Sequence, residues 1–209
     1  MRQEVIDTQD KILMAALEDV PFDGWSWQVV QEASVKAGFK VETADAVFPE
    51  KLNDVLIHFA NWADRQMMAA LKDINPDEMR VRDRVAKAVE LRLRALEPYK
   101  DCVQASAGYW ARPLKKIDAA KLIWRTADMI WIWAGDTATD YNKYSKRGLL
   151  SGVITSTMLY WLNDKSDNMD DTLAFLNRRI DNVLRFGKIT GGIVSKVQSG
   201  VNRMKQQKQ

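Results

Sequence analysis

Apolar positions recur at three- and four-residue intervals along most of the chain, and strand-like alternation is nearly absent, which predicts an all-α fold. A first helix is expected from about Asp7 to Val20, with Ile6, Leu13, Leu17 and Val20 on one face and Pro21 and Gly24 ending it. Ser26 stands where it can cap a second helix through about Ala37, Gly38 makes a tight turn, and Thr43 can cap a short third helix ending near Phe48-Pro49. A longer helix follows from about Leu52 to Ile74 and breaks at Pro76. A charged amphipathic helix from about Glu78 to Leu96 then shows Val81, Val85, Val89, Leu93 and Leu96 on one face. Pro98 and Pro113 bracket a short helix or loop. Two apolar helices come next, near Leu114–Trp133 and Lys143–Leu162, joined by the loop Gly135–Asp140. After a polar turn over Asn163–Asn168, helices are expected at about Asp170–Arg185 and from Lys188 onward.

Three stretches stand out from this pattern. Between Leu122 and Ala134 only Arg125, Thr126 and Asp128 are polar, so that helix should be buried on more than one side. It either forms the centre of a bundle or dimer, or lines a cavity for an apolar ligand. Trp124, Trp131, Trp133, Met158, Tyr160 and Trp161 are large or deformable and can wall such a cavity. The uncharged run Gly148–Leu162 is shorter than the roughly 20 residues of a spanning helix and reads as a buried helix. In the last helix Ile189, Ile193, Val194, Val197, Val201 and Met204 share one arc, flanked by Lys196 and Arg203 on one edge and Lys205 on the other. Such a helix suits a membrane interface, where the cations extend to the headgroups. Gly191, Gly192 and Gly200 each lower its helicity by about 1 kcal/mol, so it is expected to fold as it docks.

Composition narrows the chemistry. The 209 residues contain one Cys, which excludes an internal disulfide and a Cys-based zinc site and points to a reducing compartment. The start of the chain does not resemble a signal peptide, which favours a bacterial cytoplasmic protein or a processed one. A single His, His58, is too few for a di-metal carboxylate site, and neither a phosphate-binding glycine loop nor a nucleophile elbow is present. A self-contained enzyme is therefore disfavoured, and no cofactor or metal is expected. Asp128 is the one carboxylate in an apolar setting; it is either catalytic or paired locally, with Arg125 or Arg147 as the partner.

Charge is unevenly spread. Residues 1–51 hold five cations and ten anions, whereas residues 182–209 hold six cations and no carboxylate. The order of elements over Ile12–Phe59 is that of a TetR-type repressor, in which Val41–Val47 would enter the major groove. That segment has Glu42 and Asp45 and no cation, which repels phosphates, so nucleic acid is not expected as a partner. The three-helix unit reads as a scaffold, with a TetR-type regulator of hydrophobic effectors as the alternative.

The run Asp128-Met129-Ile130-Trp131-Ile132-Trp133-Ala134-Gly135-Asp136-Thr137-Ala138-Thr139-Asp140-Tyr141-Asn142-Lys143-Tyr144 resembles the central signature of the ubiquinone-biosynthesis accessory proteins, the ninth of the Coq series. Glu90–Arg94, Pro98-Tyr99, Ile12–Leu17 and Gly24-Trp25 are similar to other parts of that family, and the resemblance covers about residues 10–186. It implies a TetR-like fold that has lost operator binding, and a homodimer. It also implies an isoprenoid quinone intermediate held in the C-terminal helices and presented to the di-iron demethoxyubiquinone hydroxylase, which performs the oxidation. The place of action is then the inner membrane surface of a bacterium, or the mitochondrial matrix side in a eukaryote. The expected organisation is a three-helix unit over 1–51, a ligand-binding bundle over 52–186, and a membrane-binding helix and tail over 187–209. Trp124, Asp128, Trp131, Trp133, Met158 and Trp161 would bind the ligand. Ile130, Lys143 and Tyr144 match the patch offered to the hydroxylase, with Lys143 departing from the aromatic residue of mitochondrial members.

Overall fold

The computed structural model describes residues 3–139 and 141–183. The expected membrane-binding positions Ile189, Ile193, Val194, Lys196, Val197, Val201, Arg203 and Met204 lie outside the described residues. Eight helices run in order: α1 (Gln3–Asp23), α2 (Trp27–Lys36), α3 (Val41–Val47), α4 (Leu52–Leu71), α5 (Val81–Leu96), α6 (Lys100–Trp110), α7 (Lys116–Trp133) and α8 (Tyr141–Trp161). Residues 170–183 are also helical (α9), and there is no strand among the described residues. The all-α expectation therefore holds.

Local chemistry explains most of the boundaries. Ser26 caps α2 by accepting from the Val29 N–H at 3.2 Å, and Gly38 turns the chain at φ +85°. Thr43 does not cap α3: Lys40 is the N-cap residue, and no side chain closes that end. The turn is held instead from α2, where the Ser34 hydroxyl donates to the Lys40 carbonyl at 2.8 Å. Pro21 does not end α1, which continues to Asp23. A proline there deprives the Leu17 carbonyl of its helical donor. The thiol of Cys102, on α6, donates to that carbonyl at 3.3 Å and fills the gap.

The chain forms two compact units, Met1–Ile154 and Thr155 onward, with the boundary inside α8. Helix α1 packs on α4 and α6 as well as on α2 and α3. The first unit is centred on Ile12, Leu13 and Val20 of α1, Val30 of α2, and Val55, Leu56 and Met67 of α4, all fully or almost fully buried. Each such side chain contributes about 1.5–3 kcal/mol by leaving water. In α5 the predicted face is correct at Val85, Val89, Leu93 and Leu96, but Val81 sits at the first turn and is half exposed. In the second unit Asp164 accepts from the Thr172 N–H and hydroxyl, and the Ser166 hydroxyl accepts from the Asp171 N–H. Together these side chains close the start of α9. Burial works to raise the Asp164 carboxyl, but the bonds from Thr172 and Ser166 outweigh it and hold it well below the ordinary range.

Candidate functional site

The end of α7 is built by backbone geometry. Gly135 adopts φ +86°, the Gly135 N–H donates to Ile132 O at 3.1 Å, and the Asp136 N–H donates to Trp131 O at 2.9 Å. This paired closure needs a left-handed residue after the helix, which glycine supplies. The Arg84 guanidinium of α5 donates to the Ala134 carbonyl at 2.9 Å and ties the helix end to the bundle. The turn brings Asp136 back toward α8, where Arg147 donates to Asp136 at 2.9 Å and to Asp128 of α7 at 2.5 Å. Lys146 donates to the other Asp136 oxygen at 2.6 Å. The side chains of Arg147 and Asp136 are both nearly sealed from water. Burial works to raise the Asp136 carboxyl, but the bonds from Lys146 and Arg147 outweigh it and hold it below the ordinary carboxylate range. Burial likewise opposes charge on Arg147, and its two carboxylate partners raise it above the ordinary value. Asp128 is thus engaged by Arg147, one of its two expected partners; Arg125 pairs elsewhere.

Around this latch α7 and α8 are less enclosed than their composition predicts. In α7 Thr126, Ala127 and Ile130 form the buried face. Trp124 is 37% and Ile132 62% exposed, so the helix is buried on one side rather than all round. In α8 Leu150, Val153, Ile154, Thr157 and Trp161 are buried, while Leu149, Leu159 and Tyr160 are exposed, so this helix too has one buried face. Tyr144 is 62% exposed, and its ring lies 6.4 Å from that of Trp124. Ile130, expected in the partner patch, is fully buried because it shares the inward face with Thr126 and Ala127. Ile132, two residues on, is the isoleucine that faces water, with Lys143 half-buried on α8.

The expected ligand-binding residues divide. Trp131 is half-buried, donates its indole N–H to the Lys146 carbonyl at 3.1 Å, and lies under the Lys146 ammonium at 5.5 Å. Trp133 is half-buried, and Trp124 is the most open of the three. Met158 and Trp161 belong to the second unit, where Trp161 is completely buried. In that unit an open cleft of about 480 Å³ is lined by Ser156, Leu159, Tyr160, Asp164, Asp171 and Phe175 among others. Of the expected cavity wall only Tyr160 borders it, stacked on Phe175 at 4.4 Å.

One polar cluster has no periodic signature in the sequence. Asp64 of α4 is buried and accepts from Arg92 of α5 at 2.8 Å, from Arg125 of α7 at 2.9 Å and from the Thr126 hydroxyl at 2.9 Å. Its partners lie 28 to 62 residues away, so only the fold brings them together. It fixes α7 against α4 and α5 and leaves no carboxylate oxygen free for proton transfer. Among the described residues no group of His, Cys, Asp and Glu is arranged to hold a metal ion.

The COQ9 family model matches residues 117–187, a span that holds nearly all of α7 and all of α8. The chain is 30% identical over 186 residues to the Ubiquinone biosynthesis protein COQ9, mitochondrial, of Rattus norvegicus, covering 86% of this chain and 59% of that protein. The Homo sapiens protein of the same name is 28% identical, with 86% and 58% covered. The probable ubiquinone biosynthesis protein coq9 of Dictyostelium discoideum is 25% identical over 198 residues, with 92% and 64% covered. The chain therefore spans less than two thirds of the length of the curated relatives it matches. A solved TetR transcriptional regulator from Nitrosomonas europaea superposes with a TM-score of 0.69 at 17% identity, covering 85% of this chain and 98% of that one. At that identity the likeness shows the fold alone. The TetR-like fold and the resemblance read from Asp128–Tyr144 are both borne out.

Proposed function

We propose that the chain, whose residues 117–187 match the COQ9 family model, is a non-catalytic accessory protein of ubiquinone biosynthesis, which holds an isoprenoid quinone intermediate at a membrane surface and presents it to the demethoxyubiquinone hydroxylase. The observation that carries this reading is the state of α7 and α8. Asp128 and Asp136 are spent on structural ion pairs with Arg147, while Trp124, Ile132 and Tyr144 are exposed. Large apolar side chains held out on a latched helix pair suit contact with a lipid or a partner better than chemistry. An isoprenoid tail gains about 25 cal/mol for each Å² it buries, so partial enclosure offsets several kcal/mol of extraction from a bilayer. No helix among the described residues is long and apolar enough to cross a membrane, and the basic segment 187–209 is the proposed attachment. A homodimer is part of the same reading.

Native mass spectrometry of the purified chain tests the ligand: co-purified isoprenoid quinone is expected, and repeated preparations free of any lipid would end the reading. The alternative is a TetR-type regulator with a hydrophobic effector, which shares this fold. Against it stands α3, whose charged residues, Glu42 and Asp45, are both acidic.

A further inference from the structure

The turn between α6 and α7 offers a surface apart from the latched helix pair. Pro113 occupies its second position, where a fixed φ suits a tight turn, and the Arg112 carbonyl accepts from the N–H groups of Lys115 at 3.0 Å and Lys116 at 3.2 Å. Its base is tied to α4, because Lys115 and the Tyr109 hydroxyl both donate to Asn53 Oδ1 at 2.8 Å. The Arg112 guanidinium lies over the Tyr109 ring at 5.3 Å. Held in this way, the turn keeps Leu114 85% and Ile117 62% exposed. Two aliphatic side chains three residues apart forgo their burial energy, which marks a contact surface. Over residues 109–121 they are accompanied by the cations Arg112, Lys115, Lys116 and Lys121 against one carboxylate, Asp118. Trp110, half-buried, ends α6 beside them.

Aliphatic tips, a cationic rim and an indole together have the chemistry of the headgroup region of an anionic bilayer. A nucleic acid would use the cations but gain little from Leu114 and Ile117, and an acidic protein groove would use the aliphatic side chains less fully than lipid does. We propose that the turn Arg112–Ile117 is a membrane-contact point, which seats Leu114 and Ile117 among the headgroups of an anionic bilayer while Arg112 and Lys116 approach the phosphates. This rests on the membrane reading above, but it places a contact in the first compact unit, independent of residues 187–209.

The test uses the full chain and phosphatidylcholine vesicles, with and without phosphatidylglycerol at about one third of the lipid. An L114C variant carries an environment-sensitive dye, attached in a labelling time too short to modify the buried Cys102 of the parent chain. Blue-shifted emission on anionic vesicles is expected. An L114S/I117S variant should bind about tenfold more weakly with an unchanged thermal melt, since both side chains already stand in water. A K116E variant should lose binding on anionic vesicles only. If the unmodified chain binds but the dye keeps its aqueous emission and L114S/I117S binds normally, the turn is overturned and the membrane reading stands. If the unmodified chain binds no vesicle, both fall.

Discussion

Pro21 and Cys102 form a pair that only a folded chain reveals: one removes a hydrogen-bond donor and the other, far along the sequence, restores it. Replacing the thiol by C102A leaves the Leu17 carbonyl buried without a donor, which should cost about 1–2 kcal/mol in urea unfolding. In a P21A background the helix regains its own N–H, so the same change should cost less, with a coupling of about 1 kcal/mol across the cycle. A coupling of zero would mean that the thiol contributes packing alone. His58 makes a second prediction at this scale. Burial lowers its pKa, and the bond to Asp10 only partly offsets that. The folded chain therefore keeps the imidazole neutral where the unfolded chain, titrating near 6.5, already binds a proton. Stability should be flat above about pH 6.5 and fall as pH drops from there toward the lower folded value. In H58Q that slope should vanish in thermal melts between about pH 7.5 and about pH 5.5, a window above most carboxylate titration.

At the scale of elements, helix ends decide more than helix interiors. Gly135 holds φ +86°, and a Cβ there would meet the Arg84 guanidinium at 3.2 Å. G135A should cost about 1–2 kcal/mol from the left-handed conformation alone. On α8 the same replacement should act with the opposite sign. Gly152 is exposed with open space at its Cβ, so G152A should stabilise by about 0.5–1 kcal/mol. Equal effects in paired melts would refute the account of both glycines. The element scale is also where the sequence was most readable. Val85, Val89, Leu93 and Leu96 recur at helical spacing, and the end of α3 was legible near Phe48, its C-cap residue. Thr43 misled because a capping residue is recognised by type, while the turn before α3 is held by Ser34 of α2, which donates to the Lys40 carbonyl. Asp64 was invisible because charge pairing across 28 to 62 residues has no period. Within the candidate site, the pairing of Asp128 with Arg147 was one of two alternatives that local spacing allows. Which of Ile130 and Ile132 faces out depends on the face that the fold buries, and composition does not carry that.

For the whole molecule, the arrangement separates what holds the chain together from what it offers. The N-terminal helices keep the repressor order but are acidic over 1–51, while most of the large aliphatic and aromatic residues left in water among the described residues lie on α7, α8 and the turn before α7, with Phe22, Val35, Val41 and Val81 exposed on other helices. Substitutions at the offered positions should therefore uncouple binding from stability. I132E and Y144A are expected to keep the thermal melt of the parent yet lose at least about tenfold in retention by immobilised demethoxyubiquinone hydroxylase. A variant at Ile130 should do the reverse, melting lower because it opens a cavity, by about 1 kcal/mol for I130V. Retention that survives both surface variants would place the partner on another face.

The sealed thiol also makes the protein a clock of its own opening. Cys102 is pushed up to about 11 by burial and by the neighbouring Asp101, and its sulfur sits against α1. An alkylating reagent can then reach it only when the α1–α6 seam parts, so the modification rate under native conditions counts those excursions directly. A lipid or partner that clamps this seam would slow the clock, and one that pries it apart would speed it, with no label attached to the chain.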